Sequence, residues 1–190
     1  MRAPSNLVVL LLLAGCASAP THFYTLAPVP PAAAAASRPA LHRQIEVGNV
    51  SVPSVMDRNS IVLSTGDDRL EVSNQDQWGA PVGQLIRQAL TADLVARLSP
   101  GFMLTPGSPA PRSGLHVLSL DITRFMGDTA GHVVLDVDWA VIKGGSSIVL
   151  RRGHEMIEVQ AESGRIDAIV PAMSPALAQL AGLLASRLTA

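Results

Sequence analysis

The sequence predicts an α+β fold: an antiparallel β-sheet with two amphipathic helices packed on one face, preceded by an N-terminal tether. Three observations lead there. Apolar residues alternate with period two over residues 45–52, 115–125, 132–142 and 147–160, the mark of half-buried strands. The period changes to a helical one over 82–98 and again near the C-terminus. A Pro- and Ala-rich stretch separates the first 15 residues from this patterned region. Strands that meander between two helices place the helices together on one side of a sheet.

A chain of 190 residues is long enough for one domain with a real core. Aromatic residues make up 3% and charged residues 15%, so that core must be aliphatic. The formal net charge of −1 leaves no electrostatic footprint for nucleic acid and no basic patch for anionic lipid heads.

Taken in order, residues 16–43 read as a tether. Pro28, Pro30, Pro31 and Pro39 among alanines favour extended polyproline-like backbone and a semi-rigid spacer. One island interrupts it: His22-Phe23-Tyr24-Thr25-Leu26 is strand-like and is expected to dock as an edge strand. The domain then runs from 44 to 190. Ile45 to Val52 forms the first long strand. Ile61-Val62-Leu63 and Leu70-Glu71-Val72 form a short hairpin across Gly66-Asp67-Asp68. Val82, Leu85, Ile86, Ala89, Leu90, Leu94 and Leu98 line one helix face; Pro81 suits its first turn and Ser99-Pro100-Gly101 ends it. Residues 105–114 are a loop.

The strand at 115–125 is expected to place His116, Leu118, Leu120, Ile122 and Arg124 on one face. The next places Val133, Leu135, Val137, Trp139 and Val141 inward, with Asp136 and Asp138 outward. The third, 147–160, carries Gly153 as a bulge. In the closing helix, Met173, Leu177, Leu180, Ala181, Leu184 and Leu188 share a face. Ser174-Pro175 resembles a cap, while Ile166, Ile169 and Val170 carry the same period upstream.

The first 15 residues explain the single cysteine. Arg2 is followed by the apolar run Leu7 to Leu13, far shorter than the roughly 20 residues that span a bilayer, so the segment reads as a removable secretory signal. It ends in Leu13-Ala14-Gly15-Cys16, which resembles the lipobox of bacterial lipoproteins. That resemblance implies cleavage before Cys16 and acylation at its sulfur and new amino terminus, with palmitate among the chains. A single acyl chain holds a protein only marginally, and several hold it permanently. Ala17 follows, not the aspartate that retains such proteins in the inner membrane of enteric bacteria. The expected address is therefore the periplasmic face of the outer membrane.

Catalytic signatures are sparse. His154-Glu155-Met156-Ile157-Glu158 resembles a zinc-protease motif but lacks the second histidine and falls in a strand pattern. Asp136 and Asp138 share a strand face and could pair as acid and base; the polar outer face of a sheet accounts for them more simply. Gly144-Gly145-Ser146-Ser147 lacks the glycine that a nucleophile elbow needs after its serine. No phosphate loop, dinucleotide fingerprint or paired metal-ligand spacing occurs. The reading is a non-enzyme with no metal and no cofactor.

Residues 56–98 resemble the central signature of the PqiC-type ABC-transport auxiliary lipoproteins. The pieces occur in order: Cys16, Phe23-Tyr24-Thr25-Leu26, Val52-Pro53, Asp57-Arg58, Ile61-Val62, Trp78 before the first helix, and Ala172-Met173-Ser174 at the last. Two departures are Gly79-Ala80 after Trp78, where an acidic residue is commoner, and Pro171 and Pro175 in the last helix. The resemblance implies a non-catalytic outer-membrane subunit supporting envelope integrity. It would dock an MCE-domain transporter subunit of a Gram-negative intermembrane lipid transport system, with ring-like homo-oligomers in the family. Trp78, Phe23 and Tyr24 are the candidate partner contacts. The alternatives are a generic envelope lipoprotein of assembly or secretion machinery, which a gene neighbourhood without an MCE-domain protein would favour, and a lipoprotein hydrolase.

Overall fold

A computed structural model describes residues 19–31, 44–66, 68–99, 102–104 and 115–189. Cys16, the signal segment and the 105–114 loop lie outside these residues. The elements are β1 (His22–Tyr24), β2 (Ile45–Ser51), β3 (Ser60–Ser64), β4 (Leu70–Trp78), α1 (Val82–Arg97), β5 (Met103–Leu104), β6 (His116–Gly127), β7 (His132–Lys143), β8 (Val149–Gln160) and α2 (Ile166–Thr189). The fold is α+β. Its strands form two sheets, one ordered β1-β4-β3 and one ordered β5-β2-β6-β7-β8. The pairs β3–β4, β6–β7 and β7–β8 are antiparallel, as the meander suggests. The pairs β1–β4, β2–β5 and β2–β6 are parallel, so the sheets are mixed and not purely antiparallel. The reason lies in the connections. The small sheet and α1 intervene between β2 and β6, and a crossover of that length brings a strand back parallel.

Both helices lie on one face of the large sheet: α1 packs on β2, α2 on β7 and β8, and each on the other. The sheet contributes Leu118, Leu120, Ile122, Val133, Leu135, Val137, Val141 and Ile157 to the core. The facing helix residues Ile86, Leu90, Leu94, Leu177, Leu180 and Leu184 are fully buried. Pro81 is the N-cap of α1, one place earlier than a first-turn position, and its carbonyl accepts from the amides of Gln84 and Leu85. The closing helix begins at Ile166, so Ser174 and Pro175 lie inside it. Two internal prolines break backbone hydrogen bonds, yet Ile169, Val170 and Met173 are buried. The amides of Ala168 and Ile169 bond to the Arg165 carbonyl, and that burial carries the helix through both prolines.

Two side-chain placements differ from simple alternation. In β6 the register shifts between Ile122 and Arg124, leaving Thr123 as an extra residue. Arg124 therefore turns outward opposite Asp136, and Phe125 takes the inner position opposite Leu135. In β8 the irregularity lies at Leu150, between the pairs Val141–Arg151 and Ile142–Val149, and Gly153 pairs regularly with Trp139. Gly153 is a seat, not a bulge. A Cβ there would stand 2.7 Å from Trp139 Cζ2 and 2.8 Å from Cε2, so only glycine lets the indole lie flat over the strand.

The segment read as tether is partly built into the fold. β1 is the edge strand of the small sheet, and Leu26 is buried in the core. Beyond it, the Ala27 amide donates to Ser174 Oγ at 3.1 Å and the Val29 amide to Asp93 Oδ1 at 2.8 Å. The Arg97 guanidinium donates to the Val29 carbonyl at 3.2 Å. One residue is thus gripped at both its donor and its acceptor, and the segment after β1 forms a strap tied to α2 at Ala27 and to α1 at Val29. The packed structure begins about 20 residues before position 44.

Candidate functional site

The outer face of the large sheet gathers the polar residues that the sequence singles out. Asp138 stands opposite His154 on β8 and opposite Asp121 on β6. His154 Nδ1 lies 3.2 Å from Asp138 Oδ1 and its Nε2 lies 3.3 Å from Asp136 Oδ1. Glu155 points to the other face, where Arg187 of α2 approaches to 3.6 Å. An open groove of about 650 Å³ runs beside the histidine, lined in part by Ser119, Asp121, Ala140, Arg152 and His154. Serine, histidine and aspartate thus meet in one groove. Both ring nitrogens face carboxylates, however, so neither is directed at a serine hydroxyl as a general base must be. Among the described residues no group of three or more His, Cys, Asp or Glu side chains is placed to hold a metal ion.

The three aromatic candidates separate by burial. Trp78 is 7% exposed and packs with Met56, Ile61, Phe125 and Met173 beneath the small sheet. It is a core residue. Its amide donates to the Asn59 carbonyl, and the next amide, of Gly79, donates to the Tyr24 carbonyl. The tryptophan therefore fixes the position of β1. Tyr24 is half-buried; burial pushes its phenol up, and the neighbouring Asp76 carboxylate adds to the effect. Asp76 accepts from Ser73 Oγ at 2.8 Å and lies 3.1 Å from His22 Nδ1. Partial burial works against its charge, but the bonds from Ser73, His22 and Tyr24 prevail and hold the carboxyl below the usual range. Phe23 alternates to the opposite face, is 69% exposed and sits on the strand that ends the small sheet among the described residues.

Residues 24–185 match the family model of the ABC-type transport auxiliary lipoprotein component. The chain belongs to this family. Two relatives named intermembrane transport lipoprotein PqiC, from Escherichia coli K12 and Shigella flexneri, are each 27% identical over 183 residues, covering 95% of this chain and 94% of theirs. The auxiliary lipoprotein also shares its fold with solved structures. One, of an uncharacterised protein, has a TM-score of 0.71 at 24% identity over 89% of this chain and 99% of the other. A second, from Xanthomonas campestris, has a TM-score of 0.68 at 16% identity over 88% and 93%. The chain is a PqiC-type member.

In this auxiliary lipoprotein the feature that sequence reasoning missed is the clasp that holds the chain beyond the expected edge strand. Asp93 is wholly buried and Arg97, four residues on, is nearly so. Burial pushes the Asp93 carboxyl up, while the Val29 amide and Arg97 pull it the other way. Its second oxygen has no partner among the described residues. One signal was available: an aspartate continuing the apolar series Val82, Ile86, Ala89 and Leu90 on α1 demands a buried partner.

Proposed function

We propose that this auxiliary lipoprotein is a non-catalytic subunit of an intermembrane lipid transport system. It is anchored through Cys16 to the periplasmic face of the outer membrane, where it holds an MCE-domain transporter subunit and so supports envelope integrity. The observation that carries this reading is a relatedness running along nearly the whole chain to lipoproteins named for intermembrane transport. The leader supports it, because its short apolar run and lipobox-like end suit a lipid-anchored envelope protein. The strap supports it geometrically. Only five residues separate Cys16 from His22, a reach of about 20 Å at most, so the domain stays close to its membrane and β1 faces that side. Phe23 is the proposed partner contact, with Tyr24 beside it and Trp78 fixing the strand from beneath. The placing of both His154 ring nitrogens against carboxylates, and not against a serine hydroxyl, supports holding over catalysis.

Substitution of the anchor tests the reading. With Cys16→Ala, label from a palmitate analogue is expected to disappear and an uncleaved precursor to accumulate, while the wild-type chain fractionates with outer-membrane markers. Label retained on the variant, or wild-type protein recovered mainly with inner-membrane markers, would contradict the anchoring.

A further inference from the structure

The small sheet sorts its side chains by charge. Residues opposite each other in a pair, and residues two apart on a strand, lie on one face. Ser60, Val62 and Ser64 of β3 therefore share a face, and so do their partners Gln77, Val72 and Leu70 on β4. Phe23 joins them through its pairing with Gln77. None of these side chains is charged. The titratable side chains of the three strands, His22, Tyr24, Glu71 and Asp76, all fall on the other face, toward Arg165 and Asp167 around the start of α2. A half-buried sheet ordinarily turns its polar residues outward. Here Phe23, Leu70 and Val72 are 69%, 47% and 39% exposed on the face away from α2. The irregularity in β4 makes the three neighbours. β3 places only Ile61 between the partners of Gln77 and Val72, while β4 places residues 73–76 there. Ser73 Oγ accepts from the amides of Gln75 and Asp76 and folds the extra residues into a turn. Val72 thus stands one same-face step, about 7 Å, along the sheet from Gln77, and Phe23, Val72 and Leu70 form a strip about 14 Å long.

We infer that this strip is one docking surface, and that the surface it takes on the transporter subunit proposed above is aliphatic and uncharged. The inference rests on that reading of Phe23 and extends it from one side chain to a face. Contiguous exposed apolar side chains mark contact sites. A charged partner surface would lose its water against this face and meet no opposite charge in return. Position narrows the choice of occupant. Only five residues separate Cys16 from His22, so the strip works close to the membrane, and the bilayer is the other surface within reach. Elements that lie on a bilayer carry Lys or Arg beside their apolar side chains. The face of the strip holds neither, which favours the protein.

The test places a photo-crosslinking amino acid at position 70, and separately at 72, in the full chain in intact cells. Each is expected to capture the same MCE-domain protein as a probe at position 23, whereas a probe at position 71, on the opposite face, captures none. These probes replace exposed side chains, so this arm does not depend on any disruptive variant folding. A second arm keeps the probe at 23 and adds Leu70→Glu and Val72→Glu together. The adduct is expected to fall about tenfold or more, because each carboxylate must be desolvated without a partner. Leu70→Ile and Val72→Ile together are expected to leave it unchanged. An adduct at 23 with none at 70 or 72, or one indifferent to both glutamates, would overturn the extension and leave the reading of Phe23 standing. Phospholipid adducts alone at 70 and 72 would overturn it in favour of the bilayer. No adduct at 23 in the wild-type background would remove the reading of Phe23, and this inference with it.

Discussion

At the scale of single residues, the clasp on Val29 is the most exacting arrangement in the molecule. Asp93 and Arg97 reach the amide and the carbonyl of one residue from a helix 64 positions away in sequence. Asp93→Ala would leave Arg97 charged and nearly buried, and the Val29 amide unmet. Removing one member of such a pair costs about 3 kcal/mol. Denaturant melts are expected to show that loss, with hydrogen exchange at the Val29 amide rising to the rate of an open chain. A variant of wild-type stability and unchanged exchange would mean that the strap is held by Leu26 and Ser174 alone. Gly153 makes a similar demand of shape. Gly153→Ala would drive a methyl into the Trp139 ring, with an expected loss of about 1–3 kcal/mol and a changed tryptophan emission. Unaltered emission and stability would show that the indole has room to move.

At the scale of elements, α2 carries its prolines at a cost that packing offsets. Pro171 is exposed, so Pro171→Ala restores a helix amide without opening a cavity, and thermal melts are expected to show a gain of about 1–3 kcal/mol. A loss would mean that the local bend at Pro171 is itself needed for Met173 to seat. The same prolines hid the start of this helix from the sequence, because proline punctuation and helical periodicity gave opposite readings over 166–175. Strands β6 and β7 were legible since their alternation is local; the bulge at Thr123 was not, because it is set by pairing with Val137 and Asp136. The second half of β4, Ser73-Asn74-Gln75-Asp76-Gln77, carries no apolar alternation at all. It becomes a strand through β1 alongside and through the bond of the Trp78 amide to the Asn59 carbonyl at its end, both partners distant in sequence. For the same reason Asp136 and Asp138 could be placed on one face in advance, whereas their meeting with His154 depended on a register between strands.

At the scale of the whole molecule, the parts divide the labour. A well-packed sheet and two helices form the body, the strap ties the N-terminal segment to the helix side, and the exposed Phe23 lies where that segment joins the fold. This arrangement suits the function proposed above, the holding of a partner near a membrane, since interfaces are built on exposed apolar anchors. The most direct test of that account is photo-crosslinking in intact cells from a probe amino acid at position 23. It is performed on the wild-type background and on one carrying Asp136→Ala, Asp138→Ala and His154→Ala together. The account predicts that an MCE-domain protein is captured on both backgrounds and that cells with the triple variant keep their resistance to detergents. Absence of any such adduct, together with loss of that resistance in a triple variant that is still folded and anchored, would contradict it and move the function to the outer groove.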